Sequence, residues 1–99
     1  MNQITVDQLA ALYSPVVIDV RETDEYAAGH VPGAQNLPLS QLEDRLGDLP
    51  TGAPVHVICQ SGGRSARATT ALAAKGVDAV DVEGGTSAWI AAGNPVDRA

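Results

Sequence analysis

Apolar and polar positions along the chain fall into two alternating textures. Val16-Val17-Ile18-Asp19, Val55-His56-Val57-Ile58 and Ala79-Val80-Asp81-Val82 are short runs, rich in β-branched residues and nearly unbroken in apolar character. Strands with that texture are covered on both faces, as in a parallel sheet. Gln3-Ile4 and Gln35-Asn36-Leu37 are shorter candidate strands. Other stretches carry apolar residues at helical spacing: Val6, Leu9, Ala10 and Tyr13 in a first helix, and Leu39, Leu42, Leu46 and Leu49 in a third. Such alternation predicts an α/β fold, a parallel sheet with crossover helices on both faces.

Local signals mark where helices begin and end. Thr5 with Gln8, and Ser40 with Glu43, have capping-box spacing. Gly29, Gly76 and Gly93 stand where a left-handed residue would close a helix. With no internal repeat, linker or low-complexity segment, residues 1–99 read as one domain with a single core. That core is light in aromatics and is filled by Val, Ile, Leu and Ala.

Composition narrows the function. A net charge of −6 with no basic cluster argues against nucleic-acid and anionic-membrane partners. There is no apolar run of about 18 residues, and the N-terminal residues lack the pattern of a signal peptide, so the expectation is a soluble, cytoplasmic protein. A single cysteine excludes an internal disulfide and a multi-cysteine zinc site, which fits a reducing compartment. No metal or cofactor is called for.

That cysteine, Cys59, ends the Val55–Ile58 run and opens Cys59-Gln60-Ser61-Gly62-Gly63-Arg64-Ser65, ahead of a helical pattern from Ser65 onward. Two glycines let successive N–H groups converge on one point, and a following helix adds its positive end. Such surroundings hold a cysteine as thiolate, lowering its pKa from about 8.5 into the range of roughly 3.5–7.5. A buried core thiol is the plainer reading of a lone cysteine, and the loop tips the balance to a reactive one. Strand carboxyl ends are where sites form in such sheets. Asp19 and Arg21 lie at another such end and read first as an ion pair pinning a loop. His30 reads as a turn histidine bonded to backbone, and His56 as a strand residue in packing or at the surface.

These residues resemble the successive signatures of a rhodanese domain. The resemblance rests on Val17-Ile18-Asp19-Val20-Arg21, Tyr26-Ala27-Ala28-Gly29-His30-Val31-Pro32-Gly33-Ala34, Cys59 to Ser65, and Gly84-Gly85-Thr86-Ser87-Ala88-Trp89 through Val96. It spans about residues 3 to 96 and implies a five-stranded parallel α/β fold. It also implies a sulfurtransferase in which Cys59 accepts sulfane sulfur as a persulfide and passes it on. Donor and acceptor would be small molecules, such as thiosulfate, a persulfide or polysulfide on one side and cyanide or a thiol, including a protein thiol, on the other. The histidine motif and the Gly84–Trp89 segment are structural in that family, with Trp89 anchoring the core.

Four residues separate Cys59 from Arg64, giving a cradle of six. Phosphatases and arsenate reductases of this fold carry one residue more, and the longer ring admits a tetrahedral oxyanion. The shorter ring leaves room for one outer sulfur on Cys59, stabilised by the loop N–H groups. Gln60, Ser61, Gly62, Gly63, Arg64 and Ser65 are the expected substrate-binding positions, with Arg64 closing the cradle onto backbone carbonyls or the donor's anionic part. Arg67 is expected to face solvent. Gln60 and Ser61 are neutral where thiosulfate-specialised relatives often carry basic residues, which disfavours efficient use of thiosulfate. Two other classes stay open: an oxyanion-processing reductase or phosphatase, and a non-catalytic interaction module.

Overall fold

The computed structural model describes residues 2–50 and 52–98. Five strands, β1 (Asn2–Ile4), β2 (Val16–Asp19), β3 (Gln35–Asn36), β4 (Val55–Ile58) and β5 (Ala79–Val82), form one sheet in the order β1-β5-β4-β2-β3. Every pairing is parallel. Central β4 is buried along its whole length, as a nearly unbroken apolar run requires, with its one polar residue, His56, buried among the rest, while edge strands β1 and β3 carry mostly polar positions. Four helices accompany the strands: α1 (Val6–Ala10), α2 (Thr23–Ala28), α3 (Gly63–Ala74) and α4 (Gly85–Ala91).

The core divides across the sheet. Ile18, Val55 and Val57 pack with Ala68 and Leu72 of α3 and with Leu42 and Leu49, on one face. Val17, Ile58 and Val82 pack with Val6 and Leu9 of α1 and Trp89 of α4 on the other. Each such aliphatic side chain contributes roughly 1.5–3 kcal/mol when fully buried. Trp89 also donates its indole N–H to the Pro95 carbonyl at 2.7 Å, which ties the chain beyond α4 back to the helix.

Register matters most for function. Asp19 lies beside Ile58, and Val57 beside Asp81, so the carboxyl ends of β2, β4 and β5 stand side by side. The loops that leave them meet at one rim.

Several local expectations are corrected. The Thr5 capping box forms, with Gln8 N–H on Thr5 Oγ1 at 3.1 Å and Thr5 N–H on Gln8 Oε1 at 2.9 Å. Yet α1 stops at Ala10, which is exposed, and Tyr13 is 97% exposed rather than in the core. The short helix is followed by a turn in which Ser14 takes φ 46°, so helical spacing does not carry through to Tyr13. The third helix is two 3₁₀ turns, Leu39–Gln41 and Glu43–Asp48, kinked at Arg45 with φ −122° and ψ 23°. Its leucines still reach the core, because the spacing of three in Leu39/Leu42 and Leu46/Leu49 is the 3₁₀ repeat. The Ser40–Glu43 capping box is absent: Pro38 holds the cap position and the Ser40 hydroxyl turns to Glu22. Gly76 and Gly93 are left-handed as expected, at φ 85° and 84°, whereas Gly29 closes α2 at φ 158° and ψ 125°.

Candidate active site

Cys59 follows β4 directly and is 1% exposed. The backbone then turns through Gly62, whose φ of 121° and ψ of −18° suit a residue without a side chain, and α3 begins at Gly63. Gly63 itself has no positive φ, so of the two glycines Gly62 makes the bend. Through that bend the Gly62 N–H points at Cys59 Sγ at 3.0 Å. Burial pushes the thiol up. The Ser65 hydroxyl and the backbone N–H groups of Ser65, Gly62 and Ser61 outweigh it, and the net effect is a lowered Cys59 pKa. The N-terminus of a 12-residue helix adds its dipole in the same direction.

Beneath the thiol lies a polar chain. Cys59 Sγ–H donates to Ser65 Oγ at 3.4 Å, and Ser65 Oγ–H donates to Asp81 Oδ1 at 2.6 Å. Ser65 and Asp81 are both buried. Asp81 belongs to β5 and carries no sequence mark beyond a polar residue inside an apolar strand.

The outer rim is held by two ion pairs. Arg64 does not close onto loop carbonyls. It makes a two-pronged pair with Glu25 of α2, at 2.6 and 2.8 Å, with both side chains about a third exposed. The Arg64 guanidinium, opposed by burial and aided by a backbone bond from Glu22, holds the Glu25 carboxyl at about 2, well below the usual 4.5. Arg21 pairs with Asp19 at 2.8 Å in full burial and also donates to the Gly29 carbonyl at 2.8 Å and to Gln60 Oε1 at 3.0 Å. The pair pins the β2 loop, as expected, and through Arg21 it also touches the cysteine loop.

A third support was not legible as such. Thr86 and Ser87, in the first turn of α4, donate N–H groups to the carbonyls of Cys59 and Gln60 at 2.8 and 3.0 Å, and Thr86 Oγ1 donates to Cys59 O at 3.0 Å. This approach is so close that a Cβ on Gly85, at φ 62°, would stand 2.5 Å from the Cys59 carbonyl oxygen. The sequence offered Gly84-Gly85 as its only signal.

Other expected positions fall as follows. Gln60 is half-buried, bonded to Arg21 and through Nε2 to Ser87 Oγ at 2.7 Å, while Ser61 and Arg67 are exposed. His30 stacks on Tyr26 with ring centres 3.7 Å apart and bonds through Nδ1 to the Tyr26 carbonyl. His56 bonds to the Val16 carbonyl through Nδ1. Among the described residues, no group of three or more His, Cys, Asp or Glu gathers to hold a metal, and no helix is long and apolar enough to cross a membrane.

Beside the loop an open cleft of about 350 Å³ is lined by Arg21, Glu25, Gln60, Ile90, Val96 and Arg98 among others. A hollow of about 390 Å³ at the amino ends of β1 and β5, lined by Asn2, Thr69 and Ala79 among others, holds neither a cysteine nor a histidine. Reactivity and charge coincide at the carboxyl rim.

The family description for rhodanese-like domains matches residues 5–92. The chain is 38% identical over 91 residues to YqhL of Bacillus subtilis, an uncharacterized protein, covering 90% of this chain and 72% of that one. It is 33% identical over 91 residues to the thiosulfate sulfurtransferase GlpE of Pseudomonas entomophila, covering 89% and 84%. A crystal structure of a rhodanese-related protein from Thermoplasma volcanium superimposes with a TM-score of 0.93 at 36% identity, over 98% of each chain. Other curated relatives are longer, and the chain spans between 23% and 51% of four of them.

Proposed function

This chain belongs to the rhodanese-like domain family, and we propose that within it the protein is a sulfurtransferase carrying sulfane sulfur as a persulfide on Cys59. The observation that carries the proposal is the Gly62 N–H aimed at Cys59 Sγ from 3.0 Å, in a cradle closed by the start of α3. A thiolate there attacks the outer sulfur of a donor. With thiosulfate the step is Cys59–S⁻ plus S–SO₃²⁻ giving Cys59–S–S⁻ plus SO₃²⁻: one S–S bond forms, one breaks, and sulfite leaves with the electron pair. In the second half cyanide takes the outer sulfur as thiocyanate, or a thiolate takes it as a new persulfide, and Cys59–S⁻ returns. These 99 residues hold no second cysteine to resolve the persulfide, which favours an acceptor outside them.

The six-position cradle suits one added sulfur better than a tetrahedral oxyanion, which favours this reading over phosphoryl or arsenate chemistry. Glu25 presents its carboxylate at the rim and occupies Arg64, which disfavours dianionic donors and favours persulfides or polysulfides. The test is turnover to thiocyanate with cyanide as acceptor and a panel of donors, comparing the natural chain with Cys59→Ser. Serine nearly preserves volume but is a far weaker nucleophile at neutral pH. The expected result is turnover with at least one donor and none above background in C59S, whose fold and stability stay within about 1 kcal/mol of the parent. Turnover retained in a folded C59S would overturn the proposal.

A further inference from the structure

Two aspartates are buried in this protein, and they are matched differently. Asp19 is answered by the Arg21 guanidinium. Asp81, 3% exposed, has as its bonded partner the hydroxyl of Ser65. Its sheet neighbours in register are Gln3 of β1 and Val57 of β4, both uncharged, and α3 packs over it with Ser65. The charge that acts on Cys59 from the rim is Arg64 at the start of α3, held by Glu25 of α2, while Arg21, paired with Asp19 at the end of β2, reaches the adjoining Gln60.

Ser65 has one hydroxyl hydrogen and three acceptors within reach. Asp81 Oδ1 stands at 2.6 Å, the Gly62 carbonyl at 3.1 Å and Cys59 Sγ at 3.4 Å. A charged acceptor at the shortest distance wins the hydrogen. With Asp81 taking the hydrogen, Ser65 turns an oxygen lone pair toward a Cys59 thiol, and the thiolate receives less of the hydroxyl's support than it would without Asp81. The Asp81 charge, one hydroxyl further on, opposes the thiolate as well. When a second sulfur is attached, the anion moves out to that sulfur. Ser65 and Asp81 are buried on the inner side of Cys59 and the Gly62 N–H stands on the loop side, so the added sulfur is expected to extend toward the loop N–H groups and away from Asp81.

Building on the sulfurtransferase reading, we propose that Asp81 is a positioning residue that decides where negative charge rests: through Ser65 it disfavours charge on Cys59 Sγ and thereby favours the sulfur-loaded form. The loop donors make the thiolate attainable. Asp81 keeps it from becoming so comfortable that it would not take up sulfur.

The test is Asp81→Asn, which keeps shape and an acceptor for Ser65 while removing the charge, with Asp81→Ser as a second variant. Alkylation of Cys59 by iodoacetamide is followed from pH 5 to 10. The expected result is a lower midpoint in either folded variant and roughly tenfold faster alkylation below both midpoints, a one-unit shift. Above both midpoints, at a fixed ratio of thiosulfate to sulfite, the ratio of persulfide-bearing to free Cys59 should fall in the variants by a similar factor. A purely structural role would lower the melting temperature and leave the midpoint in place. A midpoint equal to or above that of the parent overturns the proposal, and so does failure of both variants to fold, which would make Asp81 a packing residue. If the parent takes up sulfur from no donor, it is the sulfurtransferase reading that fails, and the alkylation midpoints still report on Asp81.

Discussion

Arg64 is the residue whose structural role departs furthest from its sequence position. Standing at the mouth of the cradle, it was expected to serve the loop, and it is instead engaged by Glu25, 39 positions away. The consequence can be measured. The folded carboxyl titrates at about 2 against 4.5, so its stabilisation is fully present above pH 4.5 and is lost as pH falls toward 2. Partial exposure and screening keep its size near ~1 kcal/mol. In Glu25→Gln, urea denaturation at pH 7 should show that loss, and the gap from the parent should close by about pH 2. Releasing Arg64 should also lower the KM for thiosulfate several-fold. A gap that persists at pH 2, or an unchanged KM, would show that the pair neither stabilises the fold nor competes with anionic donors. Cys59 and its glycines were legible because their chemistry is contiguous. Glu25 and Asp81 were not, because their roles arise from chain segments that only the fold brings to the loop.

At the scale of elements, the boundaries of α3 carry the chemistry. The sequence led to a helix from Ser65 and to two glycines of which one or both would need special backbone angles; α3 begins at Gly63, and only Gly62 has them. Gly62 at φ 121° cannot accept a branched side chain without strain of roughly 1–3 kcal/mol, whereas Gly63 has ordinary helical geometry and open space around a built Cβ. Gly62→Val should therefore abolish sulfur transfer by turning the N–H away from Cys59, with a stability loss of that order. Gly63→Ala should retain most activity and fold at least as well. Equal damage from both, measured by turnover and thermal melting, would contradict the assignment of the bend to Gly62. The same comparison explains what the periodic pattern could resolve. The long apolar runs of β2, β4 and β5 fixed the strands, because burial on both faces permits little else. The leucines at 39, 42, 46 and 49 are compatible with α and 3₁₀ spacing alike, so their spacing does not choose between the two. Tyr13 failed because α1 ends one turn before it.

For the whole molecule, the strand order β1-β5-β4-β2-β3 converts separate motifs into one site. Central β4 delivers Cys59, its neighbour β2 delivers Arg21, and its other neighbour β5 delivers Asp81 and, through Gly84 and Gly85, the start of α4. The parallel sheet and its helical cover were legible in the alternation of runs; which strands are adjacent was not, since pairing depends on contacts the linear order does not reveal. The proposed function makes one central claim of this arrangement, that the rim holds a single extra sulfur on Cys59. The intact mass of the protein after incubation with a persulfide donor, followed by desalting and then by cyanide, tests it most directly. The account predicts a gain of one sulfur atom that is absent in Cys59→Ser and is removed by cyanide. No gain with persulfide, polysulfide or thiosulfate donors, or a gain that survives in Cys59→Ser, would contradict it.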